Sequence, residues 1–371
     1  MIDLEKVKYN ENLKDGYYHL VDDLIKYPDA WCYLIWSSRG PGKTTSALWA
    51  SYYLKKQMLY IKRTNDDIRL ITAGNRFGID PSPFSPVNRL HGIDVRCYPA
   101  EGLQGLGYFA NSDEDGESQG DAIATCISLN YAYKVKSADF SQNDWIVFDE
   151  FIPQAGAWTM GGDKEGTTLL DLYMTVQRDR RKRGLEEPKL ILFANAESIE
   201  SPITNVLEVT DYIANMAVTG QDYYYQKKRG ILLHWIRDVN PSISEDDGIF
   251  QAMADTAWGR KSFQGEFSNN DFSLVVPKKR LTSMYPVCSL VYQNRTSYLY
   301  QHKESGQYRL CFSQTEDKIP NYDLSKVADV RRFYMEYLFE LRDAIGNKSI
   351  TFQTYSLFEL IKNYTQKFTI I

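Results

Sequence analysis

Cysteine and histidine are scarce. Five cysteines (Cys32, Cys97, Cys126, Cys288, Cys311) and four histidines are scattered over 371 residues at spacings that fit neither a zinc site nor a disulfide framework. That usage predicts a protein of a reducing compartment, the cytoplasm. Long apolar runs are missing as well: no stretch approaches the roughly 18 residues a membrane span needs. The opening Met-Ile-Asp-Leu-Glu-Lys is unlike a signal peptide, so no membrane partner is expected. The guanine-reading segment Asn-Lys-x-Asp occurs nowhere. Positive charge is in deficit, with 43 Lys and Arg against 48 Asp and Glu and a net charge of −5, whereas nucleic-acid binders usually carry a basic balance. Any nucleic-acid contact must therefore be local. The candidate clusters are Lys227, Lys228 and Arg229, and Lys278, Lys279 and Arg280, each of which also reads as ordinary solvated surface.

What is present is concentrated between residues 31 and 44. The apolar run Trp31-Cys-Tyr-Leu-Ile-Trp36 ends in Ser37-Ser-Arg-Gly-Pro-Gly-Lys-Thr44, and a helical segment follows. A strand that delivers the chain through a glycine turn to a helix N-terminus presents unpaired amides and the positive end of the helix dipole to an anion. This is the layout of a phosphate-binding P-loop. Ser38, Arg39, Gly40, Pro41, Gly42, Lys43, Thr44 and Thr45 are the expected nucleotide contacts, with Lys43 on the β and γ phosphates and Thr44 on Mg²⁺. The usual pattern opens with glycine, and Ser37 stands there instead.

Downstream, Asp144-Trp-Ile-Val-Phe-Asp-Glu150 reads as a buried parallel strand with two acids at its tip. Beside a P-loop, Asp149 would hold the metal and Glu150 would polarise the attacking water. An adjacent glutamate marks ATP-hydrolysing motors rather than switch GTPases, and ATP with Mg²⁺ is the expected cofactor pair. A further strand, Lys189–Asn195, ends in Asn195, placed to sense the γ-phosphate or Glu150, or simply to cap a turn. The helical stretch from Thr167 ends in five basic residues within Arg178–Arg183. These read either as a solvated helix end or as the source of an arginine finger, Arg178 or Arg180, that enters a neighbouring subunit.

Taken in order, Ser37–Thr44, Leu59-Tyr-Ile-Lys-Arg-Thr64, Ile146–Phe151, Thr175-Val-Gln-Arg-Asp-Arg180 and Phe193-Ala-Asn-Ala196 resemble the DNA-packaging (encapsidation) ATPases of small podophages, which are related to the ATPase domain of large terminases. The resemblance covers about two thirds of the chain in short motifs, and Ser37 is its clearest departure. It implies Glu150 as catalytic glutamate, Asn195 as sensor and Arg178 as finger. It also implies a homo-oligomeric ring, a pentamer in that family, acting on double-stranded DNA at the portal of a procapsid, with a scaffold RNA as a possible further component. The expected setting is the host cytoplasm, with transient residence at the portal vertex.

The fold this predicts is α/β: a P-loop NTPase of the additional-strand, catalytic-glutamate type over residues 1–238, a helical linker over 239–271, and a small α+β, RNase H-like domain over 272–371. The strands expected in the last region carry almost no carboxylates, so a vestigial nuclease that binds nucleic acid or portal is expected, without nuclease activity. Two alternatives stay open, another nucleic-acid translocase on the same fold and a nucleotide-dependent assembly scaffold that does not translocate.

Overall fold

The computed structural model describes residues 16–74, 78–135, 138–153, 158–161, 164–196, 198–237, 244, 246–265, 267, 270, 272–292 and 295–366. The chain forms two compact units, Met1–Glu208 with Gln221–Asn269, and Val209–Gly220 with Asn270–Ile371. Residues 238–243, where the sequence suggests a boundary, lie outside the described residues.

In chain order the first unit contains α1 (Leu20–Lys26), β1 (Cys32–Ser37), α2 (Lys43–Tyr53), β2 (Met58–Lys62), α3 (Asn65–Ile71), α4 (Ser85–His91), β3 (Val95–Pro99), β4 (Leu106–Ser112), β5 (Ser118–Ser128), β6 (Trp145–Asp149), α5 (Lys164–Gln177), β7 (Lys189–Asn195) and α6 (Pro202–Val206). The segment α7 (Thr210–Thr219) belongs to the second unit, and the chain then returns for β8 (Tyr223–Gln226), β9 (Ile231–Ile236), α8 (Gly248–Met253) and the single turn α9 (Ala257–Gly259).

Nine strands make one sheet in the order β3-β4-β5-β2-β6-β7-β1-β9-β8. The run from β5 to β9 is parallel, and antiparallel strands flank it at both ends. Every position of β1 is buried, as is every position of β9. Strands covered on both faces must read this way, and each fully buried aliphatic side chain adds about 1.5–3 kcal/mol. The acidic Gly102–Asp121 stretch is mostly strand. There β4 and β5 pair around a turn in which Asp113 Oδ1 accepts from the amides of Asp115 and Glu117.

Register decides where chemistry can happen. Ser37 at the end of β1 lies beside Asn195 at the end of β7, while Asp149 at the end of β6 lies beside Phe193. Because β7 is interposed between β1 and β6, the three C-terminal ends form one continuous edge. Ligands of open α/β sheets bind at such an edge.

The second unit has its own sheet, built from β10 (Met284–Tyr292), β11 (Arg295–His302), β12 (Tyr308–Cys311), β13 (Asn321–Asp323) and β14 (Ile350–Phe352) in the order β13-β10-β11-β12-β14. The helices α10 (Val327–Gly346) and α11 (Tyr355–Gln366) accompany it. Ser356 at the start of α11 donates its amide and its hydroxyl to the two carboxylate oxygens of Asp211 in α7, which fastens that helix to the unit.

Candidate active site

The loop between β1 and α2 takes its shape from two glycines. Gly40 has φ of 97° and Gly42, the N-cap of α2, has φ of 88°, a region that side chains with a Cβ rarely enter. The back of the loop is braced by the chain just before α1: the Tyr18 amide donates to Pro41 O at 2.9 Å and the Leu20 amide to Ser46 Oγ at 2.7 Å. Tyr17 lies against Gly42, where an added Cβ would come within 3.2 Å of its ring. Tyr18 is buried and its hydroxyl donates to Asp23, so of the two tyrosines only Tyr17 presents a partly exposed ring.

Lys43 opens α2 and is only 8 % exposed. Its ammonium donates to Ser37 Oγ at 2.5 Å, Ser38 O at 3.3 Å and Asn195 Oδ1 at 3.4 Å. Burial lowers its pKa to about 8, against the opposing pull of Asp149 and Glu150. Ser37 thus has a use that the missing glycine concealed, because its hydroxyl holds the lysine over the loop.

Thr44 Oγ1 donates to Asp149 Oδ1 at 3.0 Å. The other oxygen of Asp149 receives the Tyr60 hydroxyl at 2.9 Å and Lys62 Nζ at 3.4 Å. Burial, then the charge and hydrogen bond of Asp149, push the Tyr60 phenol well above its ordinary pKa, so it remains a donor. A hydroxyl and a carboxylate oxygen 3.0 Å apart fit adjacent corners of a Mg²⁺ octahedron, whose bonds of about 2.0–2.1 Å put neighbouring ligands about 2.9 Å apart. Thr44 and Asp149 would hold the ion, and phosphate oxygens and water would complete it.

Glu150 follows β6 with φ of 62°, a left-handed conformation unusual for a residue other than glycine. Arg63, immediately after β2, grips the backbone there: one guanidinium nitrogen donates to Glu150 O and another to Phe151 O, both at 3.0 Å. Its Nε donates to Glu165 at 2.6 Å. Together Arg39, Gly40, Pro41, Gly42, Lys43, Thr44, Thr45, Asp149, Glu150, Ala194 and Asn195 line a cavity of about 380 Å³. Ser38 is buried behind it.

Arg178 stands apart. It is exposed beside a second cavity of about 800 Å³, with Asp171, Met174 and Gln177 from the outer end of α5. Arg180 differs completely. At 2 % exposure it donates to the carbonyls of Ser141, Asn143 and Glu186 and pairs with Asp144 at 2.8 Å. Asp179 between them has φ of 59°, which lets neighbours of one segment go to opposite destinations.

Of the two proposed nucleic-acid clusters, the one in the first unit lies away from the cavity. Lys227 and Lys228 are exposed on the β8–β9 turn, at the start of β9 and hence at the end of the sheet opposite the cavity. Arg229 is engaged structurally: its guanidinium donates to Leu207 O and its carbonyl accepts the Trp31 indole. Lys278, Lys279 and Arg280 are exposed ahead of β10 in the second unit. Tyr60, Lys62 and Arg63 belong to a motif that carries the resemblance but were given no place in the site, and Glu165 was not singled out at all. The only local signal was the basic pair closing the β2 strand.

No helix among the described residues is long and apolar enough to cross a membrane. No family model matches the sequence, and no curated protein matches it. Solved structures do. The bacteriophage Phi-29 viral genome packaging motor assembly contains a chain that aligns with 95 % of this one and 99 % of its own length, at 19 % identity and a TM-score of 0.62. A chain of the Phi-28 gp11 DNA packaging motor aligns with 96 % of this one and 100 % of its own length, at 16 % identity and a TM-score of 0.52. At these identities the likeness is one of fold, and on that level the resemblance carried by the motifs holds: the chain has the fold of phage DNA-packaging motor proteins over nearly all its length.

Proposed function

We propose that this chain is an ATPase that drives double-stranded DNA into a preformed procapsid, working as a homo-oligomeric ring whose active sites are completed in trans. The observation that carries the reading is the convergence of Lys43, Thr44, Asp149, Glu150 and Asn195 at the adjoining ends of β1, β6 and β7. A strand inserted between the loop-bearing strand and the acidic strand, with a glutamate after the aspartate, is the additional-strand, catalytic-glutamate arrangement of P-loop NTPases.

In this reading the amides of the loop and the N-terminus of α2 hold the phosphates, and Lys43 leaves Ser37 for the β and γ oxygens. Mg²⁺, held by Thr44 and Asp149, would neutralise developing charge on those oxygens. Glu150 takes the proton of the attacking water, and Asn195, already in contact with Lys43, registers whether the γ-phosphate is present. The exposed Arg178 serves the neighbouring subunit, since it lines no part of its own cavity and Arg180 is committed to the interior. DNA, portal and a scaffold RNA are the partners that the sequence resemblance implies, with the second unit as a nuclease-like docking domain.

The test is ATP turnover per subunit against protein concentration, with and without long double-stranded DNA, for wild type and Glu150→Gln. A ring motor gives turnover that rises with concentration and with DNA and falls to a small residual rate in the variant while ATP still binds. Flat turnover, indifferent to DNA and to Glu150, would sink the proposal in favour of an assembly scaffold.

A further inference from the structure

A buried carboxylate at the head of α5 has no part in the chemistry described so far. The Glu165 side chain is fully buried, yet only its Oε1 has a partner, Arg63 Nε at 2.6 Å. Among the described residues Oε2 has none. Burial raises the Glu165 pKa and Arg63 opposes the rise. A buried ion pair with an unsatisfied oxygen gives little net stability over an apolar replacement, so stability alone does not account for it.

The geometry around Arg63 does. A left-handed backbone at a residue with a Cβ is strained and persists only where its surroundings impose it. At Glu150 they do so through the Arg63 guanidinium, which spans the carbonyls of Glu150 and Phe151, and through the Phe151 amide, which donates to Phe193 O on β7 at 2.9 Å. The fork is held in turn by Glu165. Gly166, the next residue of α5, is seated where an added Cβ would lie 2.4 Å from Pro202 O, so the start of that helix is fixed against α6.

We propose that Arg63 and Glu165 are positioning residues for ATP hydrolysis: Glu165 orients the Arg63 fork, and the fork locks the Glu150 backbone in the left-handed turn that keeps its carboxylate on the nucleotide cavity. Neither residue lines that cavity. The inference rests on the proposed ATPase reading and deepens it. It separates from a purely structural role because the pair acts through Glu150 alone.

The experiment compares Arg63→Lys and Glu165→Gln, each in the wild-type and Glu150→Gln backgrounds, by melting temperature, affinity for a fluorescent ATP analogue, and kcat and KM for ATP. Misplacing a catalytic group by an ångström costs about 10²-fold, so kcat is expected to fall about 10–100-fold with analogue affinity within about threefold of wild type. In the Glu150→Gln background the same substitutions should leave the residual rate unchanged, because the group they position is gone. Retained kcat, lost analogue binding, or an equal further loss in the Glu150→Gln background overturns the positioning role. If Arg63→Lys does not fold, the near-isosteric Glu165→Gln carries the test. Should wild type and Glu150→Gln turn over ATP alike, the ATPase reading itself fails, an outcome distinct from any failure of the pair.

Discussion

Thr44 and Asp149, 105 residues apart in sequence, meet through a hydrogen bond of 3.0 Å at the floor of the cavity. The separation suits two ligands of one Mg²⁺, and Asp149 is further held by Tyr60 and Lys62. Asp149→Asn should therefore abolish the gain in ATP-analogue affinity that Mg²⁺ confers. Even an outer partner of a metal site costs about 10–100-fold when removed, and a direct ligand should cost no less. Titration with and without Mg²⁺ checks this; an undiminished Mg²⁺ effect in the variant argues against the assignment.

Lys43 makes the site sensitive to alkali. With its pKa lowered to about 8, the ammonium is largely deprotonated by pH 9, and phosphate affinity should fall about tenfold between pH 7 and pH 9 if binding requires the charged form. The sign for folding is opposite. Between about pH 8 and the ordinary 10.5 the folded chain binds fewer protons here than the unfolded one. This group therefore makes stability rise with pH across that window. Isothermal titration and denaturant melts over the same pH series measure the two trends separately.

Arg178→Ala should leave ATP binding and the melting temperature as they are and lower turnover by about 10³–10⁵, the range of an arginine finger. Mixing it with Glu150→Gln gives a sharper readout. Each variant is silent alone, but a mixed ring places an intact Arg178 beside an intact Glu150 in some interfaces, so partial activity should return. Silence at every mixing ratio argues that Arg178 does not act across subunits.

Arg180→Ala should instead destabilise the fold. The substitution leaves the carbonyls of Ser141, Asn143 and Glu186 and the Asp144 carboxylate without their donor. Breaking a buried charge pair on one side costs about 3–5 kcal/mol. Unfolding free energies of the two neighbouring arginine variants, from denaturant titration, should differ by that order, and equal values would contradict the division of roles.

The sequence marked those parts of the site whose signal is local. An apolar run that stops at a glycine turn, or at two acids, announces a strand end within a dozen residues, which is why the placement of Gly40–Thr44, Asp149–Glu150 and Asn195 at strand ends could be anticipated. Contacts set by strand order could not. Tyr60 and Lys62 reach Asp149 because β2 lies beside β6, and Arg63 reaches Glu150 and Glu165 for the same reason. The sequence marks a basic pair closing that strand, but nothing beside it says which acids the pair will meet. The choice between Arg178 and Arg180 likewise rests on burial, which a run of basic residues does not encode. The placement of α7 with the second unit depends on Asp211 meeting Ser356, 145 residues away.

Gly265 stands where a Cβ would lie 2.7 Å from the amide nitrogen of Ser38, with φ of 68°, and its carbonyl accepts the Trp235 indole at 3.1 Å. The polypeptide that runs on from it becomes the second unit. The Gly265 backbone lies so close to Ser37 and Ser38 that a side chain there has no room unless one of the two segments shifts. Gly265→Ala should therefore displace Ser37–Ser38 and hold the loop between β1 and α2 in an altered posture. The fault would appear as nucleotide affinity that no longer differs between ATP and ADP.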